Sequence, residues 1–564
     1  MNILPQLLFF FGLNITLAAL FAQIMGPGRP AVRLVLGFAA GFILQFVIGF
    51  GLYAAQLPWV LFLILPLLAG VTAVGRLKSI LKLFGNSEVR TILLGWLMVS
   101  GWSLAFQSLI YVYSGGGWAG DHIEHYQRAS FFLHHWPRDY LFIDIAGLTA
   151  RPPLANVLVA AWMSTGPGGF ANYQVFNTLL CCCTFLPLAL LVRHVSGKRR
   201  AYAALVLLLM LNPLWVQNTT FPWTKLAAAF FILLAVERCV TGLARGRHHG
   251  TAILLLAAGG LTHYSTGPWA VALGAAWLAT TYPFAIRARY WRDAAGGLAG
   301  GLALVSIWVF WAARVYGWSA LWGETSTARD STAHTMALFL KDFSANLWYT
   351  FVPAVDSPIR DLIMQQSSVW GRLRDAAFNL YQQTLPLGVG IAGLLLLALA
   401  AKQIPTHRRA LLFWGVLVAL VIPLSIASHA SVVDMGMAHI CLQPLVLIGT
   451  TLAAAALVRT TLSMFRISIA VLSIDLLLGI VLHIMVERLW IPPWRSPIET
   501  LNSLNAVGRT NYFGKLSTNS PYLADLLPPS GVIPVVFAVL LLILAAIRLN
   551  RERQAMMAKQ KARS

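Results

Sequence analysis

Fifteen apolar stretches follow one another along this chain, at 4–25, 34–53, 57–75, 91–112, 173–194, 201–217, 225–240, 251–263, 266–282, 294–314, 384–401, 409–427, 440–457, 466–484 and 531–548. Many approach the roughly 20 apolar residues that cross a hydrocarbon core about 30 Å thick. Backbone N–H and C=O groups meet no water in that core, so a spanning segment satisfies them within itself, as a helix does. The short alternating strands of a membrane β-barrel are not the pattern here. Only 11% of the 564 residues are charged, against about a quarter in a soluble domain. The sequence predicts an all-α polytopic membrane protein of about 15 transmembrane helices, with outer loops that carry short amphipathic helices.

The formal charge of +22 raises the question of a polyanionic partner. Its distribution answers against nucleic acid. Lys and Arg fall mostly in short loops such as "GRPAVR" (28–33), "RHVSGKRR" (193–200), "ARGRHH" (244–249) and "KQIPTHRR" (402–409). The positive-inside rule assigns such loops to the cytoplasm. The basic tail 549–564 follows a span and suits anionic lipid. The opposite side then receives 113–172, 218–224, 264–265, 315–383, 428–439 and 485–530, with the N-terminus outside and the C-terminus inside. Residues 152–167 would break the alternation if they crossed, so they are expected to form a partial or re-entrant helix. The first apolar stretch lacks a basic leader region and an obvious cleavage site, and is read as a retained span. Five cysteines without a CxxC pair imply no disulfide framework and no zinc site. No internal repeat is evident.

Scarce charge gathers in one outer loop, "GDHIEHYQRASFFLHHWPRDYLFIDIAGLTARPPL" (120–154). Asp121, Glu124, Asp139 and Asp144 lie in it, with His122, His125, His134 and His135. A helix starting at Asp121 places Asp121, Glu124, His125 and Arg128 on one side. A carboxylate at such a helix start can accept a proton or hold a cation. Asp121 and Glu124 are also spaced as a capping box, and the two roles are compatible. His122 and His125 flank the acids without a clear third metal ligand.

The order Asp121-His122-Ile123-Glu124-His125-Tyr126, then Ala129, then Arg151-Pro152-Pro153-Leu154, resembles the first extracytoplasmic loop of the GT-C glycosyltransferases. The resemblance is closest to the branch of protein O-mannosyltransferases and lipid A aminoarabinose transferases. His122 stands where that branch carries Glu, and the tyrosine is displaced by one position. Further matches are "LNPLWVQNTTFPWTKLAAAFFILLAVE" (211–237), "LTHYSTGPW" (261–269) and "MGMAHICLQPLVLI" (435–448). The family often has an acid where this chain has Thr224-Lys225, and His439 takes a basic position at the entry to a late span. The resemblance covers roughly 91–460. Outside it lie three N-terminal helices (1–90), the C-terminal helices with their outer loop (461–548, loop 485–530) and the tail.

The resemblance implies transfer of a sugar from a polyprenyl-phosphate donor to an acceptor glycan, lipid or protein, with inversion, on the extracytoplasmic side of a bacterial inner membrane. Asp121 would be the general base, with Glu124 as a second acid. Arg151, Lys225 and His439 would hold the donor phosphate. His122, His263 and Tyr264 would face the substrate cavity. A divalent metal, Mg or Mn, held by Asp121 and Glu124 is an alternative source of phosphate stabilisation. Trp348, Tyr349, Phe351, Trp490, Trp494, Tyr512 and Phe513 are expected on the outer side, as sugar-stacking faces or as an interfacial belt. Two competing readings are a transporter or flippase using the intramembrane charge of Asp475 with His483, and a glycan polymerase or ligase of another fold.

Overall fold

The computed structural model describes residues 3–26, 28–110, 121–143, 146–166, 168–196, 201–245, 248–281, 288–323, 335–353, 369–400, 408–429, 436–481, 521–526 and 531–561. Among these the secondary structure is helical, apart from one isolated antiparallel bridge between Phe142 and Ala146. Among the described residues, nine helices are long and apolar enough to cross a membrane, and up to eleven if each of two bent pairs is one span. The chain is thus an integral membrane protein of all-α class. The fifteen separate spans expected from hydropathy are not all met by this test. Several of the stretches form helices of only 10 to 15 residues, such as Ile391–Ala400, His249–Thr262 and Gln443–Leu457. At 1.5 Å per residue these run about 15 to 23 Å, short of a ~30 Å core.

The N-terminal helices are α1 (Leu4–Ile24), α2 (Pro30–Ala54), α3 (Ile64–Gly75), α4 (Leu77–Gly85) and α5 (Ser87–Gln107). The segment 59–75 and α4 bend by 83° against each other. α1 and α2 pack closely because Gly37 has no side chain; a Cβ there would overlap the carbonyl of Ala18. Their contact also carries a polar chain. Gln45 donates to Asn14 Oδ1 at 2.8 Å, and Trp162 Nε1 donates to Gln45 Oε1 at 2.8 Å. In an apolar medium such hydrogen bonds are worth roughly 0.6–2 kcal/mol each. They fix α7 (Leu154–Met163) against the N-terminal pair. α7 is buried along its whole length and is too short to cross.

Between α5 and α7 lies α6 (Asp121–His134), and after α7 come α8 (Phe170–Cys182) and α9 (Phe185–Ser196). The last two form one fully buried apolar run. α10 (Tyr202–Leu211) and α11 (Pro213–Thr220) bend by 71° at Asn212-Pro213. Proline lacks the N–H that would continue the helix, and Asn212 caps the new one by accepting from Trp215 N. Then follow α12 (Lys225–Arg245), α13 (His249–Thr262), α14 (Thr266–Thr281) and α15 (Ala288–Tyr316). All five cysteines are buried and free, as small apolar residues are.

Gly37→Val should force α1 and α2 apart. Overpacking of this kind costs about 1–3 kcal/mol, so the expected outcome is a lower melting temperature in detergent and less folded protein recovered from membranes.

Candidate active site

α6 opens with two acids in its first turn, Asp121 and Glu124, and ends on His134. That order suits the helix dipole. Its polar residues would be costly to bury unless paired, yet His122 to Phe132 are all buried. For Glu124, Gln127 and Arg128, pairing explains it. Arg128 Nε donates to Glu124 Oε1 at 2.9 Å. Its Nη1 and Nη2 donate to the carbonyls of Leu148 and Gly147, each at 3.0 Å. The guanidinium also lies 4.3 Å from the Phe142 ring centroid. Gln127 Oε1 accepts from Ile143 N at 2.8 Å. The loop that leads to Arg151 is therefore laced to α6 by α6's own side chains.

Arg151 completes the arrangement. Its Nε and Nη2 donate to the two oxygens of Glu124 at 3.2 and 3.3 Å, and its Nη1 donates to Tyr264 Oη at 2.6 Å. Burial would raise the Glu124 carboxyl, but Arg151 and Arg128 outweigh it and hold the group well below the usual carboxylate range. Burial would likewise depress Arg151, but Glu124 and Tyr264 outweigh it and raise its affinity for the proton. His125, beside Glu124, is pushed down to about 3 by burial, so its imidazole is neutral. Glu124 faces the arginines with both oxygens.

Asp121 is in a different state. Its Oδ2 accepts from Trp223 Nε1 at 3.0 Å. Burial raises its pKa, against the opposing pull of Arg151, and the Glu124 charge raises it too. A half-buried carboxylate with a raised pKa, beside cations, can accept a proton in a reaction. Asp121, Arg151 and Tyr264 are the less enclosed members of the group, while Glu124, His125 and Arg128 are buried.

Trp223 joins this acid to the rest. Lys225 Nζ lies 3.6 Å from the Trp223 ring centroid, a cation–π contact. Lys225 is also the first residue of α12, where the helix dipole already favours an anion. The turn that presents Trp223 and Lys225 is fixed by α8 and the segment after it. Tyr173 Oη donates to Pro222 O at 3.3 Å, Cys181 Sγ to Trp223 O at 3.3 Å and Thr184 Oγ1 to Leu226 O at 2.6 Å.

His439 stands beside Trp223, with ring centroids 5.4 Å apart. Its Nδ1 lies 3.1 Å from Gln382 O. A carbonyl only accepts, so Nδ1 carries the proton. Burial and the nearby Lys225 charge keep the ring neutral, and its Nε2 is then an acceptor. Trp269 Nε1 donates to Cys441 O at 2.6 Å and anchors this turn. His263 Nδ1 accepts from Ser265 N at 3.1 Å, and its ring lies 4.6 Å from that of Tyr264.

Most residues singled out in the sequence thus meet at one end of the helices: Asp121, Glu124, Arg151, Lys225, His263, Tyr264 and His439. His122 lies to one side, with its ring near Phe170 and Phe221 and its Nε2 3.4 Å from Tyr522 Oη. Trp223 and Gln382 are the additions. Trp223 had a signal, since it stands two residues before Lys225 in an outer turn; Gln382 had none. The donor set does not fit a metal shared by Asp121 and Glu124. Both Glu124 oxygens are on guanidinium groups, and among the described residues no three His, Cys, Asp or Glu side chains converge as a metal-binding group. Trp348 and Phe351 are exposed on the helix Met336–Phe351. Asp144, His483, Trp490, Trp494, Tyr512 and Phe513 lie outside the described residues.

No protein-family model matches the sequence. No curated protein matches it either. Among solved structures, the chain is similar to the crystal structure of ArnT from Cupriavidus metallidurans bound to undecaprenyl phosphate, with 12% identity and a TM-score of 0.44, over 84% of this chain and 77% of that one.

Glu124→Gln should leave the buried Arg128 and the half-buried Arg151 without this counter-charge. Breaking a buried ion pair in this way costs about 3–5 kcal/mol. The expected result is a marked fall in thermal stability, read by the melting of purified protein.

Proposed function

We propose that this protein is a GT-C-type membrane glycosyltransferase that moves a sugar from a polyprenyl phosphate to an acceptor hydroxyl at the extracytoplasmic face. The observation that carries the reading is the meeting of one proton-accepting carboxylate, Asp121, with two cations, Arg151 and Lys225, brought from three separate parts of the chain. The order of Asp121 and the Arg151-Pro152-Pro153-Leu154 segment supports it.

In this reading the acceptor oxygen attacks the anomeric carbon while the bond from that carbon to the phosphate oxygen breaks. The hydroxyl proton passes to Asp121. The departing phosphate keeps the bonding electron pair, and its growing charge falls between Arg151, Lys225 and the positive end of α12. A single in-line displacement inverts the anomeric configuration. Glu124 is assigned to holding Arg151 in place, rather than to proton transfer. His439, with its Nε2 an acceptor, suits a sugar or acceptor hydroxyl better than a phosphate. Tyr264 orients Arg151 through their 2.6 Å hydrogen bond.

The transporter reading relied on Asp475. That carboxylate accepts from Ile391 N at 2.7 Å and Ala392 N at 2.9 Å, and so caps the helix Ile391–Ala400. Gly390, with φ of +80°, precedes the helix, and a Cβ there would press on the same carboxylate. A structural task accounts for this intramembrane acid.

Asp121→Asn, assayed in membranes with a labelled polyprenyl-phosphate sugar, should lower transfer by about 10²-fold or more. Normal expression with full transfer would remove Asp121 from the mechanism. The rate should also fall as the medium is acidified through a pKa above the ordinary aspartate value of about 3.9, since the base is then protonated. Trp223→Phe withdraws a hydrogen bond that favours the ionised form, so the acid limb of the pH–rate profile should move further toward neutrality. Asp475→Ala should lower stability and leave transfer per folded molecule nearly unchanged.

A further inference from the structure

The end of the helix bundle away from Asp121 holds a second feature. α12 starts at Lys225, and Glu237, Arg238 and Thr241 lie some 12 to 16 residues further along it, about 18–24 Å away. There a cavity of about 400 Å³ opens between α2, α12 and α13. One end of it is basic. Arg29, Arg33 and Arg238 line it. The remaining wall is apolar and includes Leu36, Ala40, Ile43, Leu254 and Leu255.

The charges around it do not balance. Glu88 accepts from Arg29 at 2.6 Å and also pairs with Arg193. Glu237 pairs with Arg238, lies 3.0 Å from His194 Nε2 and accepts from Thr241 Oγ1 at 3.0 Å. Among the described residues, the four guanidinium groups of Arg29, Arg33, Arg193 and Arg238 thus face the two carboxylates Glu88 and Glu237. Arg33 makes no ion pair among the described residues, and its Nε is buried without an acceptor. A buried donor of this kind is costly unless something accepts from it. Arg33 also sits in the first turn of α2, a helix of 25 residues whose N-cap, Arg29, offers no side-chain acceptor. The free N–H groups of such a helix start attract an anion.

We propose that this cavity binds an anionic phospholipid from the leaflet opposite the active site. The headgroup phosphate sits at Arg33 and Arg29, at the start of α2. An acyl chain lies along the apolar wall of Leu36, Ala40, Ile43 and Leu254. Free phosphate shares the headgroup chemistry, but it has no use for an apolar wall that follows α2 from Leu36 to Ile43, about 10 Å at 1.5 Å per residue. The site is independent of the transfer reaction proposed above, and a failure of either leaves the other standing.

The test uses the full-length protein in mixed micelles of dioleoyl phosphatidylglycerol and dioleoyl phosphatidylcholine, with bound lipid counted by native mass spectrometry. Wild type should retain phosphatidylglycerol in preference to phosphatidylcholine. Arg33→Gln should lower retained phosphatidylglycerol about fivefold, the effect of one basic side chain on an anionic lipid. Ala40→Phe, which fills the apolar wall and leaves every charge in place, should lower it as well, and it serves alone if Arg33→Gln does not fold. Inorganic phosphate should not displace the lipid. The proposal is overturned if both variants retain phosphatidylglycerol at the wild-type level, if the two lipids are retained equally, or if inorganic phosphate displaces the bound lipid and so marks a headgroup-only site.

Discussion

One buried carboxylate holds the Asp121 end of this protein together. Glu124 lies between Arg128 and Arg151, and each arginine extends the contact further. Arg128 reaches the carbonyls of Gly147 and Leu148, and Arg151 reaches Tyr264. A helix, the loop that follows it and the turn between two later helices are thereby fixed with respect to one another. In a low-dielectric setting such a network is stabilising only when every member is paired. Because Glu124 meets that demand, its neighbour Asp121 is left with an indole hydrogen bond and a raised pKa. The two acids, three residues apart, are driven in opposite directions by their surroundings, as happens where acid–base roles are divided.

The scaffold beneath uses a different set of contacts. Apolar side chains gain little from meeting one another instead of lipid, so close approach and occasional polar pairs decide how membrane helices associate. Gly37 against Ala18 supplies the first. The Asn14–Gln45–Trp162 chain supplies the second. Through Trp162 these N-terminal contacts reach α7, whose start carries Arg151-Pro152-Pro153. Trp59 donates to Phe132 O at 3.1 Å and holds the far end of α6 to the same N-terminal helices. Helices 1–90, which lie outside the family resemblance, are therefore neighbours of the site's supports.

The two ends of α12 carry opposite arrangements of charge. At its start, one lysine and one arginine stand beside an acid whose pKa is raised by burial. Toward its other end, guanidinium groups outnumber carboxylates next to an apolar cavity. In the two proposals above, each is the place of a phosphate, one at either end of α12.

The all-α membrane class was legible in the sequence, because the bilayer leaves a long apolar run few alternatives to a helix. So was the gathering of Asp121, Glu124 and Arg151, since charge is rare in this chain and clusters in 120–154. Span counting was less secure. Hydropathy does not register the bend at Asn212-Pro213 or the break at Gly390, after which Asp475 caps a new helix inside the apolar stretch. Only the tertiary structure divided the roles. Capping box and proton-accepting carboxylate were both open readings of Asp121 and Glu124, and neither foresaw that Arg128 and Arg151 would meet Glu124. Trp223 gained its place because a turn 102 residues away donates to Asp121. Gln382 reached His439 from a helix with no motif. Local sequence sets which groups are scarce and which segments are helical; which charges neutralise one another depends on distances that only the packed chain fixes.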